Sequence, residues 1–329
     1  MRFLRRLLPA LMVVLIAATL GVGAALWFMG TVNGPGPLAA SATVVIPPGA
    51  GLAAIARQLA NADVVNASWI FELEARRSGQ SRALKPGEYR FDAAVSLATV
   101  LSKIVRHDIV PRFVTIPEGL VTADVLRITA TAEGLQGEVP GIEGEGELLP
   151  ETYRYEWGDQ RTAVIARMRS ARNAMLTELW PGRATDLPLT TPEEAMVLAS
   201  MVEKETALPA ERPHIAAVFL NRLRRGMRLQ SDPTVIYGLG EDGHSRELTR
   251  ADLERETPFN TYVIDGLPPS PICNPGRASV EAVLHPDDSK DLYFVANGEG
   301  GHAFAATLED HNRNVARWRR QGSKNVDEE

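Results

Sequence analysis

Two glutamates at the end of an apolar stretch are the residues of this sequence best placed for proton-transfer chemistry. Glu203 and Glu205 follow the uncharged run from Ala195 to Val202. A carboxyl group at the end of a buried helix is partly desolvated, which favours its protonated form and suits it to general acid catalysis. At about 100° per residue the two side chains point to nearly opposite sides, so a regular helix presents only one of them to a given cleft. The alternative is that both are surface charges, as most glutamates are.

The stretch from Thr191 to Thr206 has the pattern of a buried helix. Thr191 is a capping residue, Pro192 takes the first helical position, and Glu194 follows three residues after the cap. Together these residues form a capping box. The run that follows is apolar on nearly all sides, which is typical of a helix inside a core. The pattern therefore predicts a fixed scaffold for the two glutamates.

Polar residues further along the chain supply the remaining candidates for a site. Asp232 is the obvious second carboxylate for glycoside cleavage, although Ser-Asp-Pro is also ordinary turn chemistry. Tyr262 either stacks on a sugar or belongs to the core, and His302 either faces a cleft or closes a glycine turn. The supporting or substrate-binding candidates are Glu205, Gln230, Asp232, Asn260, Tyr262 and His302.

Several other kinds of chemistry lack their sequence signatures. There is no G-x-S-x-G nucleophile elbow, no phosphate-binding glycine loop, and no pair of the six histidines at H-x-x-x-H spacing. Cys273 is the single cysteine, so no internal disulfide or cysteine-based zinc site is expected. The net charge of -6 argues against a nucleic-acid partner. We therefore expect no metal, no cofactor and no nucleic acid.

The N-terminus predicts attachment to a membrane. Three arginines within the first six residues precede an apolar run from Leu7 to Met29, which is roughly long enough as a helix to cross a ~30 Å hydrocarbon core. A cleaved signal peptide is the second interpretation, although its apolar region would be shorter. Because arginines stay on the cytoplasmic side, everything after Gly30 is expected outside.

The remainder of the 329 residues predicts an α+β protein with short mixed sheets. A Gly/Pro tether at 31–42 leads to a small βα unit at 43–110. A second βα unit with a connecting helix occupies 111–182, a larger helix-plus-sheet domain 183–322, and a tail 323–329. Both βα units begin with a strand followed by Pro-x-Gly, which indicates a repeated packing unit. Residues 229–239 are expected to form a turn and then a strand.

Several long motifs occur together after the tether. They are EGELLPETY, LASMVEKET, FLNRLRRGMRLQSDPTVIYGLG, FNTYVIDGLPPSPICNPG, DLYFVANGEGGHAF and HNRNV, in that order. This series resembles the endolytic murein transglycosylase, or YceG-like, family over nearly all of the chain after the tether. The resemblance implies an inner-membrane anchor, a LysM-like subdomain at 43–110 and a periplasmic catalytic domain at 183–322.

The resemblance also implies a reaction and a catalytic residue. The family's catalytic acid is carried over to Glu203, the first glutamate of VEKET. It would cleave the β-1,4 bond between N-acetylmuramic acid and N-acetylglucosamine in nascent peptidoglycan, as a lyase that leaves 1,6-anhydro ends and limits strand length near the peptidoglycan synthases. Glu205 is then a supporting residue, and Asp232 is not needed as a nucleophile. Two alternatives remain: a water-using glycoside hydrolase with Asp232 or Glu205 as second carboxylate, and a non-catalytic glycan-binding scaffold.

Overall fold

The computed structural model describes residues 2–240 and 246–326, with side chains described for 10–240 and 246–320. The fold is mixed α+β with an apolar N-terminal helix, and its described strands pair as three two-stranded sheets. The helices are α1 (Arg2–Asn33), α2 (Leu52–Asn61), α3 (Ser68–Arg77), α4 (Leu97–Arg106), α5 (Thr122–Thr131), α6 (Arg161–Leu179), α7 (Pro192–Glu205), α8 (Arg212–Arg224), α9 (Asp232–Leu239), α10 (Arg250–Glu254), α11 (Arg277–Leu284) and α12 (Leu308–Val326). The strands are β1 (Ala42–Ile46), β2 (Gly87–Phe91), β3 (Arg112–Thr115), β4 (Thr152–Tyr155), β5 (Tyr293–Ala296) and β6 (His302–Ala305).

The chain divides into two compact units. The N-terminal unit comprises residues 1–112, 133–136 and 154–159, and the larger unit comprises 113–132, 137–153 and 160–329. The presence of a LysM-like module and the domain bounds given above stay predictions.

The N-terminal unit encloses its own core between a small sheet and three helices. β1 and β2 pair antiparallel from Ala42 opposite Phe91 to Ile46 opposite Gly87. α2, α3 and α4 bury apolar side chains beneath this ribbon, and Ile55, Phe71 and Val100 are almost inaccessible. A two-stranded ribbon is marginal in water, so this sheet depends on the helices that cover it.

The apolar helix α1 runs directly into this unit. Its segment Ala10–Asn33 is long and apolar enough to cross a membrane, and its spanning window has no buried residue. Val32, at its end, is nevertheless buried in the core of the N-terminal unit, as is Leu38. Backbone hydrogen bonds join Gly36 N to Ala94 O and Ala94 N to Leu38 O. Within the predicted tether 31–42, Val32 and Leu38 are therefore packed against the N-terminal unit, while most of the remaining residues are exposed or half-buried.

The larger unit is organised around α7. The predicted capping box is present, with Thr191 accepting from the backbone of Glu194 and the Glu194 side chain reaching back to the backbone of Thr191. Every residue from Ala195 to Val202 is buried. α8 and α11 pack against α7, and apolar residues of all three helices belong to one core. This surrounding core fixes the direction in which the end of α7 points.

The expectation of a strand within 229–239 is wrong, because residues 232–239 form α9. The β-branched residues Thr234, Val235 and Ile236 favour a strand by propensity. Pro233, however, lies in the first turn of the helix, where the missing N–H of proline costs nothing. Thr234 and Val235 are buried against the rest of the unit, and this packing outweighs their preference.

The hairpin of β5 and β6 completes the part of the fold that surrounds the site. The strands pair antiparallel, with Tyr293 opposite Ala305 and Ala296 opposite His302. The turn between them contains Gly298 and Gly300 at φ 82° and 89°, a backbone conformation that glycine tolerates without strain. His302 is thereby the first residue of β6. Of the predicted tail, 323–326 continue α12, and 327–329 lie outside the described residues, as do 1 and 241–245.

Candidate active site

Glu205 lies on a polar cavity in the larger unit. The cavity has a volume of about 330 Å³ and draws its walls from the end of α7, from α8, from the start of α9 and from the β5–β6 hairpin. Its lining residues are Glu205, Arg222, Leu229, Gln230, Asp232, Tyr262, Phe294, Val295, Ala296 and His302. Five of the seven residues that the sequence singled out are therefore brought together here.

The carboxyl group of Glu205 is poised between its protonated and ionised forms. Burial raises its pKa to about 7. The hydroxyl of Ser231 donates a hydrogen bond to Glu205 Oε1 and opposes this rise, as does the charge of Arg222. The nearby charge of Asp232 adds to the rise. A carboxyl group that titrates near neutral pH can give up a proton and take one back within a single reaction.

Asp232 and Tyr262 form a hydrogen-bonded pair on the cavity wall. The Tyr262 hydroxyl donates to Asp232 Oδ1 over 2.6 Å. Burial, followed by this hydrogen bond, raises the pKa of Tyr262 above its usual value, so the phenol stays protonated at neutral pH. One oxygen of Asp232 is thus occupied, and the pair presents an aromatic ring together with a carboxylate to the cavity.

Arg222 places a buried positive charge beside the cavity. It lies on α8, and its Nε donates to Leu292 O over 2.6 Å while Nη1 donates to Leu229 O over 2.8 Å. Nη1 also approaches Gln230 Oε1 at 3.3 Å. Burial lowers the pKa of Arg222, but a guanidinium remains charged in proteins. Arg222 therefore both orients Gln230 and lends the cavity a positive potential.

Gln230 has an unusual backbone conformation at the cavity. Its φ of 52° lies in the left-handed region, which costs free energy for any residue other than glycine. The conformation is held by a hydrogen bond from Gln230 N to Thr261 O and another from Ser231 N to the Thr261 hydroxyl. The hydroxyls of Thr234 and Thr261 are 2.8 Å apart and continue this buried network. The network places Ser231 where it reaches Glu205.

His302 is oriented by the carboxylate of Glu211. Its Nδ1 lies 2.7 Å from Glu211 Oε2, and its backbone N–H donates to Glu211 Oε1. Burial acts to raise the pKa of Glu211, but the hydrogen bonds from His302 outweigh it, and the pKa is lowered. Glu211 is therefore ionised and accepts hydrogen bonds only, so Nδ1 of His302 carries a proton. The sequence did not single out Glu211.

Asn260 lies outside the cavity and supports it. The side chain is buried, and its Nδ2 donates to the carbonyls of Asp252, Leu253 and Arg255. Its Oδ1 accepts from the backbone N–H of Tyr262 over 2.9 Å. Asn260 thereby fixes the loop that carries Tyr262.

Glu203 points away from this cavity into an ion pair. Its carboxylate accepts from Arg212 Nη2 over 3.2 Å and from the backbone N–H of Gly276 over 2.9 Å. The Glu203 side chain is only 6% exposed. Arg212 also approaches Glu118, whose pKa is raised by burial and by the charge of Glu203. Both oxygens of Glu203 are thus engaged in contacts that tie α7 to α8 and to the start of α11.

The sequence did not single out Ser231, which donates to Glu205, or Arg222, whose charge lowers the pKa of Glu205. A signal for Arg222 exists, because it continues the apolar face of Ile215, Val218 and Phe219 at helical spacing. An arginine on a buried face is rarely there without a partner. Within the described residues, no group of three or more histidine, cysteine, aspartate or glutamate side chains is arranged to hold a metal ion.

Taken together, these contacts define a polar cavity of an α+β unit whose wall carries a carboxyl group able to exchange a proton near neutral pH. The chain belongs to the YceG-like family, which it matches over residues 44–317.

Proteins named endolytic murein transglycosylase are among its relatives. The one from Bacillus subtilis is 29% identical over 299 residues, which is 82% of this chain and 82% of the relative. The one from Streptococcus pneumoniae is 29% identical over 320 residues, which is 83% of this chain and 58% of the relative. A solved structure of a yceG-like protein from Listeria monocytogenes is 32% identical, covers 83% of this chain and 98% of its own, and has a TM-score of 0.49.

Proposed function

We propose that this protein is a membrane-anchored lytic transglycosylase that cleaves peptidoglycan strands internally, with Glu205 as its acid and base. The observation that carries the proposal is a carboxyl group with a pKa of about 7 on a polar cavity, in a chain of the YceG-like family. The relatives named endolytic murein transglycosylase supply the substrate class and the reaction.

The reaction requires one group that acts first as an acid and then as a base. Protonated Glu205 donates its proton to the oxygen between N-acetylmuramic acid and N-acetylglucosamine, and the C1–O bond of the muramyl residue breaks. The muramyl 6-hydroxyl attacks C1, and the Glu205 carboxylate accepts the hydroxyl proton. The product carries a 1,6-anhydro ring, no water is consumed, and Glu205 returns to its protonated form. A pKa near the working pH suits both steps.

The other cavity residues match a sugar substrate. Tyr262 and Phe294 offer aromatic faces, while Gln230, Asp232 and His302 offer hydrogen-bonding groups. The buried charge of Arg222 favours the ionised form of Glu205 once its proton has left. These contacts would bind and orient the glycan while the proton moves.

The sequence-based assignment of the acid to Glu203 stays a prediction, but the contacts favour Glu205. Arg212 and Gly276 donate to the two oxygens of Glu203, and Glu203 is not among the residues that line the cavity of Glu205. Glu205 has one engaged oxygen and lines the cavity. We therefore assign Glu203 to holding the end of α7 in place.

A water-using glycosidase is the second candidate function. The observation in its favour is that Asp232 and Glu205 line the same cavity, since a second carboxylate could activate water. Tyr262 already occupies one oxygen of Asp232, which argues for the anhydro reaction. The two reactions differ by one water in the mass of the product.

Anchoring and location form part of the same proposal. α1 would be a single transmembrane span with its arginines in the cytoplasm and both units in the periplasm, and a cleaved signal sequence is the competing interpretation. Residues 43–110 would be the LysM-like subdomain that binds glycan ahead of the catalytic unit. Action on nascent strands would place the protein near the peptidoglycan synthases.

The test compares Glu205→Gln with Glu203→Gln in the full chain. Each protein is incubated with uncrosslinked glycan strands, and the fragments are identified by mass spectrometry, with circular dichroism to establish that the protein is folded. We expect wild type to release internal fragments with anhydro ends and Glu205→Gln to lose at least about 100-fold in rate. Folded Glu203→Gln should retain cleavage.

Three results would overturn parts of this proposal. Fragments one water heavier would establish hydrolysis. Full activity of Glu205→Gln would remove Glu205 from the reaction. Glycan binding by residues 43–110 without turnover by the full chain would favour the scaffold.

A further inference from the structure

The N-terminal unit has an exposed apolar face directly beside the apolar helix. On α3, Trp69 is 53% exposed and Leu73 is 45% exposed, although both belong to a helix whose other face packs in the core. Arg76 follows at the spacing that continues this face. Exposed tryptophan and leucine side chains followed by an arginine, at this spacing on the outer face of one helix, match the composition of helices that lie against a membrane surface.

This face is joined to α1 by a stack of two tryptophans. The rings of Trp27 and Trp69 are 6.1 Å apart between centroids and inclined by 20°. α1 also packs against α3 and α4, and Phe28 and Val32 contact the core of the unit. The position of α3 relative to α1 is thereby fixed within the N-terminal unit.

The position of Trp27 along α1 sets the depth of α3. Counted from Ala10, a hydrocarbon core takes up about 20 helical residues, so it ends near Met29. Trp27 lies at the outer end of that span, where tryptophan is enriched at the membrane–water boundary. Val32 already belongs to the folded core of the N-terminal unit. At 1.5 Å per residue, Val32 lies only about 8 Å beyond Trp27 along the helix. No free linker separates the unit from the bilayer.

We propose that Trp69, Leu73 and Arg76 of α3 lie in the boundary layer of the bilayer that α1 spans. The proposal rests on the membrane anchoring put forward above, and it adds a second contact between this protein and lipid. The tryptophan ring and the leucine side chain enter the edge of the apolar region. The guanidinium of Arg76, which pairs with Glu72 at 2.7 Å, stays at headgroup level.

The contact has a consequence for the orientation of the unit. A single helix leaves a domain free to tilt, whereas a second contact on another element restricts that motion. The N-terminal unit would therefore be held upright on the outer surface of the membrane.

The test measures immersion depth with a nitroxide label on the full chain in nanodiscs that contain anionic and zwitterionic lipid. The native Cys273 is completely buried, so the labelling reagent does not reach it and reacts with a cysteine introduced at an exposed position. Leu73→Cys reports on α3, Ile16→Cys reports on the span of α1, and exposed Ala54→Cys on α2 is the matched control. Collision rates with oxygen, which concentrates in lipid, and with a water-soluble nickel complex are compared.

The expected result is a nickel collision rate several-fold lower at position 73 than at position 54, together with a higher oxygen rate. Trp69→Gln should raise the nickel rate at 73, because it removes the ring that stacks on Trp27. Shielding at position 16 with full water exposure at 73 would overturn the docking of α3 and leave the anchor intact.

Other results would also overturn the proposal and can be told apart. Water exposure at both 16 and 73 would reject the anchor as well, while glycan cleavage by Glu205 would be unaffected. Shielding at 73 that disappears when each nanodisc holds one protein molecule would show that a second copy, and not lipid, covers this face.

Discussion

Glu203 and Glu205, two residues apart at the end of one helix, lie in different surroundings. Arg212 and the N–H of Gly276 hold the carboxylate of Glu203 in an ion pair, while Glu205 accepts from Ser231 and lines a cavity. The separation follows from helical geometry, since a two-residue step turns a side chain by about 200°. Glu203 therefore stabilises the fold, while the carboxyl group of Glu205 is available for proton transfer in the cavity.

The rate of glycan cleavage should fall as the pH rises through about 7. Glu205 must carry a proton at the start of the reaction, and its pKa is about 7. The measurement is the initial rate of release of anhydro-ended fragments between pH 5 and pH 9. A rate that keeps rising above pH 8 would contradict Glu205 as the acid.

Two substitutions should shift the pH at which the cleavage rate falls, and they should do so in opposite directions. This falling part of the pH–rate profile is its descending limb. Asp232→Asn removes a negative charge that raises the pKa of Glu205, so the limb should move to lower pH. Ser231→Ala removes a hydrogen bond that lowers the pKa, so the limb should move to higher pH. The same assay measures both, and shifts of equal sign would show that Glu205 does not set the profile.

The stability of the larger unit should depend on the protonation of Glu205. The pKa of Glu205 is raised on folding, so its stabilisation is complete below the unfolded value near 4.5 and is lost as pH rises through about 7. Glu205→Gln cannot ionise. The variant should match wild type at pH 4 and exceed it at pH 8 by up to about 3 kcal/mol in free energy of unfolding. Denaturant titrations at both pH values measure this difference, and identical pH dependence in the two proteins would refute it.

Glu203→Gln should weaken the fold more than the reaction. Removing one partner of the ion pair leaves Arg212, whose side chain is 12% exposed, with only its longer contact to Glu118 at 3.4 Å. We expect a loss of roughly 3 kcal/mol in the free energy of unfolding. Glu178→Gln is the matched control, because its ion pair with Arg277 is on the surface and should matter little. A stable Glu203→Gln protein without any cleavage would instead support Glu203 as the acid.

Asn260→Ala should destabilise the loop that carries Tyr262. The substitution removes the donor to three carbonyls and the acceptor for Tyr262 N, which costs about 1–3 kcal/mol. Asn260→Asp keeps the acceptor for Tyr262 N, so Tyr262 should stay in place, but it turns a carboxylate oxygen toward the three carbonyls and should cost more stability. Comparing KM for glycan strands in the two variants, at a temperature where both are folded, separates loop position from stability. Equal KM values would argue against a role for Asn260 in placing Tyr262.

Local sequence patterns determined much of the framework of this protein. The capping box and apolar run predicted α7, and the apolar run after the first arginines predicted α1, because caps and uninterrupted apolarity act over a few neighbouring residues. The order of the long motifs identified the family. For residues 232–239 the sequence predicted a strand, but they form α9, because the packing of Thr234 and Val235 outweighs their strand propensity.

The tertiary structure alone decided which glutamate faces the cavity. The sequence established that Glu203 and Glu205 diverge, but their surroundings come from Arg212, Gly276 and Ser231, which lie 9 to 73 residues away along the chain. A raised carboxyl pKa depends on burial and on the charges nearby, and both arise only when α8, α9 and the β5–β6 hairpin close around the end of α7. The sequence therefore supplied the pair of carboxyl groups, and packing assigned their roles.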